Sequence, residues 1–243
     1  MFPADRLPLV EEYAALLADD AVVRGLIGPR EVPRLWERHL LGCAVVGDAL
    51  RPTDRTLVDL GSGAGLPGLV LALRHPALAV TLVEPLLRRT TFLGAVVESL
   101  GLDNVRVVRG RAEDLHGHEV FDVVTSRAVA PLPRLLGWSM PLVAPTGRLV
   151  VMKGARVHDE VVEAAPELAS WSAAAPAVLH VGGGVVDPPT TVLTVSWAEP
   201  ERVGWPLRPH PSPRAPQQAA GPVRRRSTRG GRGRGGPSRR QHR

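Results

Sequence analysis

Between Arg55 and Trp197 the chain alternates short apolar runs with segments of helical period, and that alternation restricts the fold more than any other feature. Thr56–Leu60, Ala79–Glu84, Val105–Val108, Phe121–Ser126 and Arg148–Met152 read as buried strands, each bounded by turn or helix signals. Between them, Pro67–Arg74, Arg88–Leu100, Leu132–Met140 and Val157–Leu168 carry helical spacing. Such alternation predicts a parallel sheet with helices on both faces. Two later runs, Ala177–Val181 and Thr190–Trp197, flank Gly182-Gly183-Gly184 and Pro188-Pro189, and predict an antiparallel hairpin closing the sheet. The expected class is α/β, with a mostly parallel seven-stranded sheet.

The flanks differ from this middle region, residues 51–198. Residues 1–50 read as a helical extension, because Leu9, Val10, Tyr13, Leu16 and Leu17 recur at helical spacing. After Gly28-Pro29, Pro33 suits the first turn of a second helix carrying Leu35, Trp36, Leu40 and Leu41. Residues 199–243 lose all periodicity and are rich in Pro, Gly and Arg. Such a segment buries too little apolar surface to offset its ordering entropy, so it is expected to be disordered.

Charge divides the chain in the same place. The whole carries +6, yet residues 200–243 hold 12 Arg and one Glu, and residues 1–199 hold 18 Lys+Arg and 23 Asp+Glu. The globular part is therefore at −5 and the tail at +11. Binding of nucleic acid by the core does not follow from its overall basicity. Cys43 is the only cysteine, which excludes an internal disulfide and a multi-cysteine metal site, and no metal is expected. Met1–Asp5 lacks the order of a signal peptide, and no apolar run is long enough to span a bilayer. A soluble, cytoplasmic protein without a membrane partner is expected.

The stretch Val58-Asp59-Leu60-Gly61-Ser62-Gly63-Ala64-Gly65-Leu66-Pro67-Gly68 places a glycine turn at the end of the first strand. Glycines there permit a tight turn and let backbone approach a ligand. Two registers fit. Gly63 to Gly68 satisfies G-x-G-x-x-G, the dinucleotide pattern, whereas counting from Gly61 puts Leu66 where the third glycine belongs. The G-x-G-x-G spacing from Gly61, with Asp59 before it, favours S-adenosylmethionine, held by Gly61, Gly63 and Gly65. Glu84 ends the second strand 23 residues after Gly61, near the spacing of roughly 20 expected of an acid that accepts two ribose hydroxyls. Gly110-Arg111-Ala112-Glu113-Asp114 follows the third strand, where Ala112 and Glu113 can receive an adenine edge.

Arg127 stands at the carboxyl end of the fourth strand, the edge that faces the ligand crevice in an open α/β sheet. It can contact the cofactor or clamp a phosphate bidentately. No Asp-Pro-Pro-Tyr-like segment follows, which argues against methylation of an exocyclic amine. Cys43 lies far in sequence from the crevice loops, and no general base stands out in them. A purine N7, an in-plane lone pair without a proton, needs none.

Asp59–Gly68, Glu84–Leu93, Ser126-Arg127-Ala128 and Lys153-Gly154 resemble, in order and spacing, the small-subunit ribosomal RNA guanine-N7 methyltransferases, also called glucose-inhibited division protein B. The resemblance covers about Leu7 to Trp197 and includes Leu35–Leu40. It implies a Rossmann-like S-adenosylmethionine-dependent methyltransferase fold with an N-terminal helical extension. It also implies methyl transfer to N7 of a guanine in 16S ribosomal RNA of the small subunit. Cofactor contacts would fall on Gly61, Leu66, Ala112, Glu113 and Arg127, with Glu84 as the family's acidic residue. Arg38, His39, Arg88, Arg89 and Lys153 are candidate RNA contacts, with ordinary helix-surface roles equally open for His39 and the arginine pair. A monomer is expected.

The Arg/Gly/Pro tail departs from the family pattern. Arg-rich, Gly-rich segments bind phosphate with little sequence preference, so the tail is expected to raise affinity for ribosomal RNA without choosing the guanine. Two other readings stay open: a nicotinamide-dependent oxidoreductase, disfavoured by Leu66, and a non-catalytic RNA-binding protein on the same fold.

Overall fold

The polypeptide runs strand, helix, strand through its middle because its apolar residues change period there from two to about 3.6 and back. The computed structural model describes residues 1–127 and 129–207. Its strands are β1 (Thr56–Leu60), β2 (Ala79–Glu84), β3 (Val105–Arg109), β4 (Phe121–Arg127), β5 (Val143–Met152), β6 (Ala177–Val181) and β7 (Thr190–Ser196). They form one seven-stranded sheet in the order β3-β2-β1-β4-β5-β7-β6. All pairs from β3 through β5 are parallel, and β7 runs antiparallel to both β5 and β6. The expected hairpin is present, with residues 182–189 as its loop. Strand order reverses between β1 and β4, which opens a crevice at their carboxyl ends.

Alternate strand residues feed two apolar layers. In β5, Val150 joins one cluster while Leu149 and Val151 join the other, as a period of two requires. The first layer packs the N-terminal helices α1 (Leu7–Ala18), α2 (Asp20–Val23) and α3 (Gly42–Ala44) with α4 (Gly68–Arg74) and α5 (Leu87–Ser99). The second packs α6 (Leu132–Ser139), α7 (Val157–Glu163) and α8 (Ala165–Ser170) around Trp171 and Trp197, whose rings meet edge to face at 6.4 Å. A helix as short as α1 is marginal alone. Fully burying Val10, Tyr13 and Leu17, at roughly 1.5–3 kcal/mol per large apolar side chain, holds it in place.

Proline accounts for several departures from the expected helices. The predicted Val157–Leu168 helix breaks after Glu163, because Pro166 in the first turn of α8 has no N–H to continue it. Pro141 likewise turns the end of the Leu132–Met140 segment into a 3-10 turn, Met140–Leu142. The second N-terminal helix does not start at Pro33. A 3-10 segment, Pro29–Arg34, contains that proline, followed by a π-helical segment, Leu35–Leu41. Residues 199–207 also differ from the expected disordered tail: Pro200–Arg202 forms a 3-10 turn, and Val203 and Leu207 pack on the second apolar layer. The remainder of the tail expectation, residues 208–243, lies outside the described residues. No helix among the described residues is long and apolar enough to cross a membrane.

Candidate active site

The glycine turn sits at the carboxyl end of β1, in the crevice. Gly61, Gly63 and Gly65 have φ of +68°, +60° and +97°, a region that side-chain-bearing residues rarely enter. Four groups outside the turn hold it. Val83 O accepts from Gly61 N–H at 2.8 Å, Tyr13 Oη donates to Ala64 O at 2.7 Å, Asp59 Oδ2 accepts Gly68 N–H at 2.9 Å, and Glu84 Oε2 accepts Gly63 N–H at 3.1 Å. Thus α1, β1 and β2 all converge on the turn. Gly68 has a separate reason to be glycine: a Cβ there would lie 2.4 Å from Leu82 Cδ2, so it permits close packing of α4 on the sheet.

Two cavities flank the turn and share Val129. The smaller, about 300 Å³, is lined by Gly61, Val83, Pro85, Ala112, Glu113 and Trp138 among others. The larger, about 870 Å³, includes Arg38, Arg127, Val129, Met152, Lys153 and His180 in its wall. Gly61, Ala112 and Glu113 therefore come together as the sequence predicted. Gly63, Gly65 and Leu66 shape the turn instead of lining the small cavity, and Leu66 is packed into the core. Arg127 faces the larger cavity. Pro85, Arg134 and Trp138 were missed. Trp138 lies within the helix expected over Leu132–Met140, and only the fold places it at the crevice with the Arg134 guanidinium 4.7 Å above its ring.

Glu84 does more than its strand-end position implied. It is 1% exposed. Besides Gly63 N–H, it accepts from Leu86 N–H at 3.1 Å and Arg89 Nη1 at 3.2 Å. A carboxylate has about four acceptor directions, so these three leave one for a ligand hydroxyl. Arg89 is thereby engaged in holding Glu84, and Arg88 reaches the Arg24 carbonyl at 3.5 Å. Neither is among the residues lining the larger cavity, whereas Arg38 and Lys153 are. Lys153 Nζ is paired with Glu160 Oε2 at 2.6 Å, and its side chain is 7% exposed.

His39 corrects the expectation most clearly. The sequence offered it as an RNA contact or a helix-surface residue, but the structure buries it. Its Nδ1 lies 2.6 Å from Arg127 Nη2 and its Nε2 lies 2.8 Å from Glu31 Oε2, so both ring nitrogens are engaged inside the protein. Cys43, which also receives Arg127 Nη1 at 3.4 Å, is buried, and burial pushes its thiol up to about 11. It is a packing residue with an inert thiol.

Asp59 lies fully buried beneath the turn, and its Oδ1 has no hydrogen-bond partner. Burial pushes its carboxyl up to about 7, against the lowering effects of Gly68 N–H, Ser62 and Arg127. A carboxyl raised in the folded state contributes stability that is complete below its unfolded value, near 4, and is lost as pH rises through about 7. Relative to Asp59→Asn, the wild type is therefore expected to lose about 1 kcal/mol of stability between pH 6 and pH 8. Chemical denaturation at both pH values measures this. A difference that does not change with pH would show that Asp59 is ionised throughout.

Residues 6–185 match the GidB family, described as rRNA small subunit methyltransferase G. Ribosomal RNA small subunit methyltransferase G of Nocardioides sp. is 58% identical over 225 residues, covering 93% of this chain and 87% of the relative. The protein of the same name from Thermobifida fusca is 56% identical over 212 residues, 87% of this chain and 89% of the relative. Among solved structures, the mitomycin 7-O-methyltransferase MmcR aligns with a TM-score of 0.53 at 17% identity, covering 76% of this chain and 60% of that one. The S-adenosylmethionine-dependent methyltransferase SibL gives 0.53 at 16% identity, covering 68% and 57%. At these identities the likeness is one of fold, and it is the Rossmann-like methyltransferase fold with an N-terminal helical addition. The nicotinamide and non-catalytic readings find no support among the relatives. With a family match over most of its length and relatives more than half identical to it, this chain belongs to the rRNA small subunit methyltransferase G family.

Proposed function

We propose that the protein transfers the methyl group of S-adenosylmethionine to N7 of a guanine in 16S ribosomal RNA, working on the small subunit as a cytoplasmic monomer without a metal. The observation that carries the reading is the pair of cavities meeting at Val129 beside the glycine turn. One has the dimensions and lining for an adenosine, and the other is larger and basic.

The residues present fit the cofactor. Trp138, Val83 and Pro85 offer an apolar wall for the adenine, and Glu113 with the backbone at Ala112 offers polar partners for its edge. Glu84 retains one acceptor direction for a ribose hydroxyl, and Gly61, without a Cβ, lets the chain pass close by. When bound, S-adenosylmethionine supplies a methyl group already activated by the sulfonium charge. The protein's own residues then position. Guanine N7 presents a lone pair and carries no proton, so the site needs no general base, and alignment in a dry crevice provides the acceleration. Arg127, Arg38 and Lys153 line the larger cavity with donors suited to RNA phosphates, which fix the position of the strand without reading its bases.

The test is methyl transfer from labelled S-adenosylmethionine to small ribosomal subunits and to their naked RNA, with nuclease digestion to locate the label. The expected product is 7-methylguanosine from a single site. Label recovered in protein, in a small molecule or at another base atom would overturn the substrate assignment. Calorimetry with S-adenosylmethionine and with NAD checks the cofactor independently.

A further inference from the structure

We propose that Glu31 and His39 are positioning residues for Arg127, joined to it by a chain of hydrogen bonds that ties the seat of the guanidinium to the protonation state of one imidazole. The proposal rests on the reading of the larger cavity as the RNA site. It starts from donor chemistry. A guanidinium has five N–H donors and no acceptor, so Arg127 Nη2, 2.6 Å from His39 Nδ1, needs a lone pair on that nitrogen. The ring proton then resides on Nε2, which donates to Glu31 Oε2 at 2.8 Å. Glu31 also accepts from Arg38 Nη1 at its other oxygen, Oε1, at 3.4 Å, and the pair is an ion pair with Oε2 at 3.3 Å. One carboxylate thus holds both arginines of the larger cavity, Arg38 directly and Arg127 through the imidazole.

The local backbone supports this arrangement. His39 lies in the π-helical segment Leu35–Leu41, a widened turn of the kind that often occurs at functional sites. It reaches from the N-terminal region to the end of β4, and so couples the helical extension to the crevice. Glu31, Arg38 and Arg127 are the charged groups acting on the ring, and the neutral Cys43 thiol accepts from Arg127 on its far side. Protonating His39 would set an N–H against the N–H of Arg127 and add a cation beside two others. Burial, first, and the two arginines hold the imidazole below its usual range, against the pull of Glu31. The neutral form therefore prevails at neutral pH, and acidification releases Arg127.

A chain of this kind could instead only fasten the N-terminal region to the sheet. Methyl transfer to small subunits, followed across pH for wild type, His39→Leu and His39→Asn, separates the two roles. His39→Leu is expected to lower kcat/KM by about ten- to a hundredfold. In His39→Asn an amide oxygen near the former Nδ1 can accept from Arg127 without titrating. That variant should recover much of the loss and flatten the acid limb of the profile. Equal losses in both variants, with the acid limb of the wild type retained, would overturn the proposal. If His39→Leu does not fold, His39→Asn still decides the pH limb. Imidazole nitrogen NMR of the full chain reads the tautomer directly: a proton on Nε2 at pH 7.5 is expected, and one on Nδ1 would overturn the chain. This last measurement stands even if wild type transfers no methyl group, the result that would count against the proposed function itself.

Discussion

Gly65→Ala is expected to weaken S-adenosylmethionine binding by at least about a hundredfold and to destabilise the fold by about 2–4 kcal/mol, through backbone strain and overpacking together. Gly65 has φ of +97°, which alanine adopts only at a cost. Its new Cβ would lie 2.4 Å from Leu69 Cδ1 and 2.8 Å from the Tyr13 hydroxyl. Leu69 and Tyr13 are both fully buried, so neither can step aside into solvent. Moving Tyr13 would also release Ala64 O, one of the anchors of the turn. Gly63→Ala provides the contrast. Its φ is +60°, but the nearest atom to its Cβ is Gly61 O at 3.9 Å, so it should cost only the backbone strain. Calorimetry and chemical denaturation of the two variants measure both effects. Equal losses would show that the contacts of Gly65 with Leu69 and Tyr13 are unimportant to the site.

The second large effect is expected at Glu84. Glu84→Ala leaves the Gly63 and Leu86 N–H groups and the Arg89 guanidinium without their shared acceptor, in a place where water has little access. Each stranded buried donor costs about 1–3 kcal/mol, more when it is charged. Cofactor affinity should fall by more than about a hundredfold, from a disordered turn and a lost ribose partner together. Glu84→Gln distinguishes the two contributions. Its carbonyl oxygen still accepts from one backbone donor, so the turn should hold better than in the alanine variant. Adenosine binding by Glu84→Ala at the wild-type level would remove Glu84 from the cofactor site.

Much of this molecule was readable from residue order. The strands from Thr56 to Leu60 and from Ala79 to Glu84 appear where their apolar runs predicted them, because a parallel strand covered on both faces is mostly apolar. The glycine turn was readable too, since a left-handed backbone at Gly61, Gly63 and Gly65 demands that residue type. Helix ends were less legible. Pro166 in the first turn of α8 marks a break that periodicity alone runs through, and the π-helical segment Leu35–Leu41 has no signature in apolar spacing.

The pieces of the cofactor site and the resemblance that named its chemistry were thus set by the sequence alone, through requirements each residue meets locally. The partners were decided only by the tertiary structure. His39 could be read as a surface histidine because it follows the charged pair Glu37-Arg38, and it became the link to Arg127 because that side chain, at the end of β4, comes within 2.6 Å of its ring. Trp138 became a wall of the crevice, and Glu84 the anchor of a turn 21 residues earlier, for the same reason. Local periodicity records which face of an element is buried; what that face meets depends on strand order and register, which arise only when the whole sheet packs.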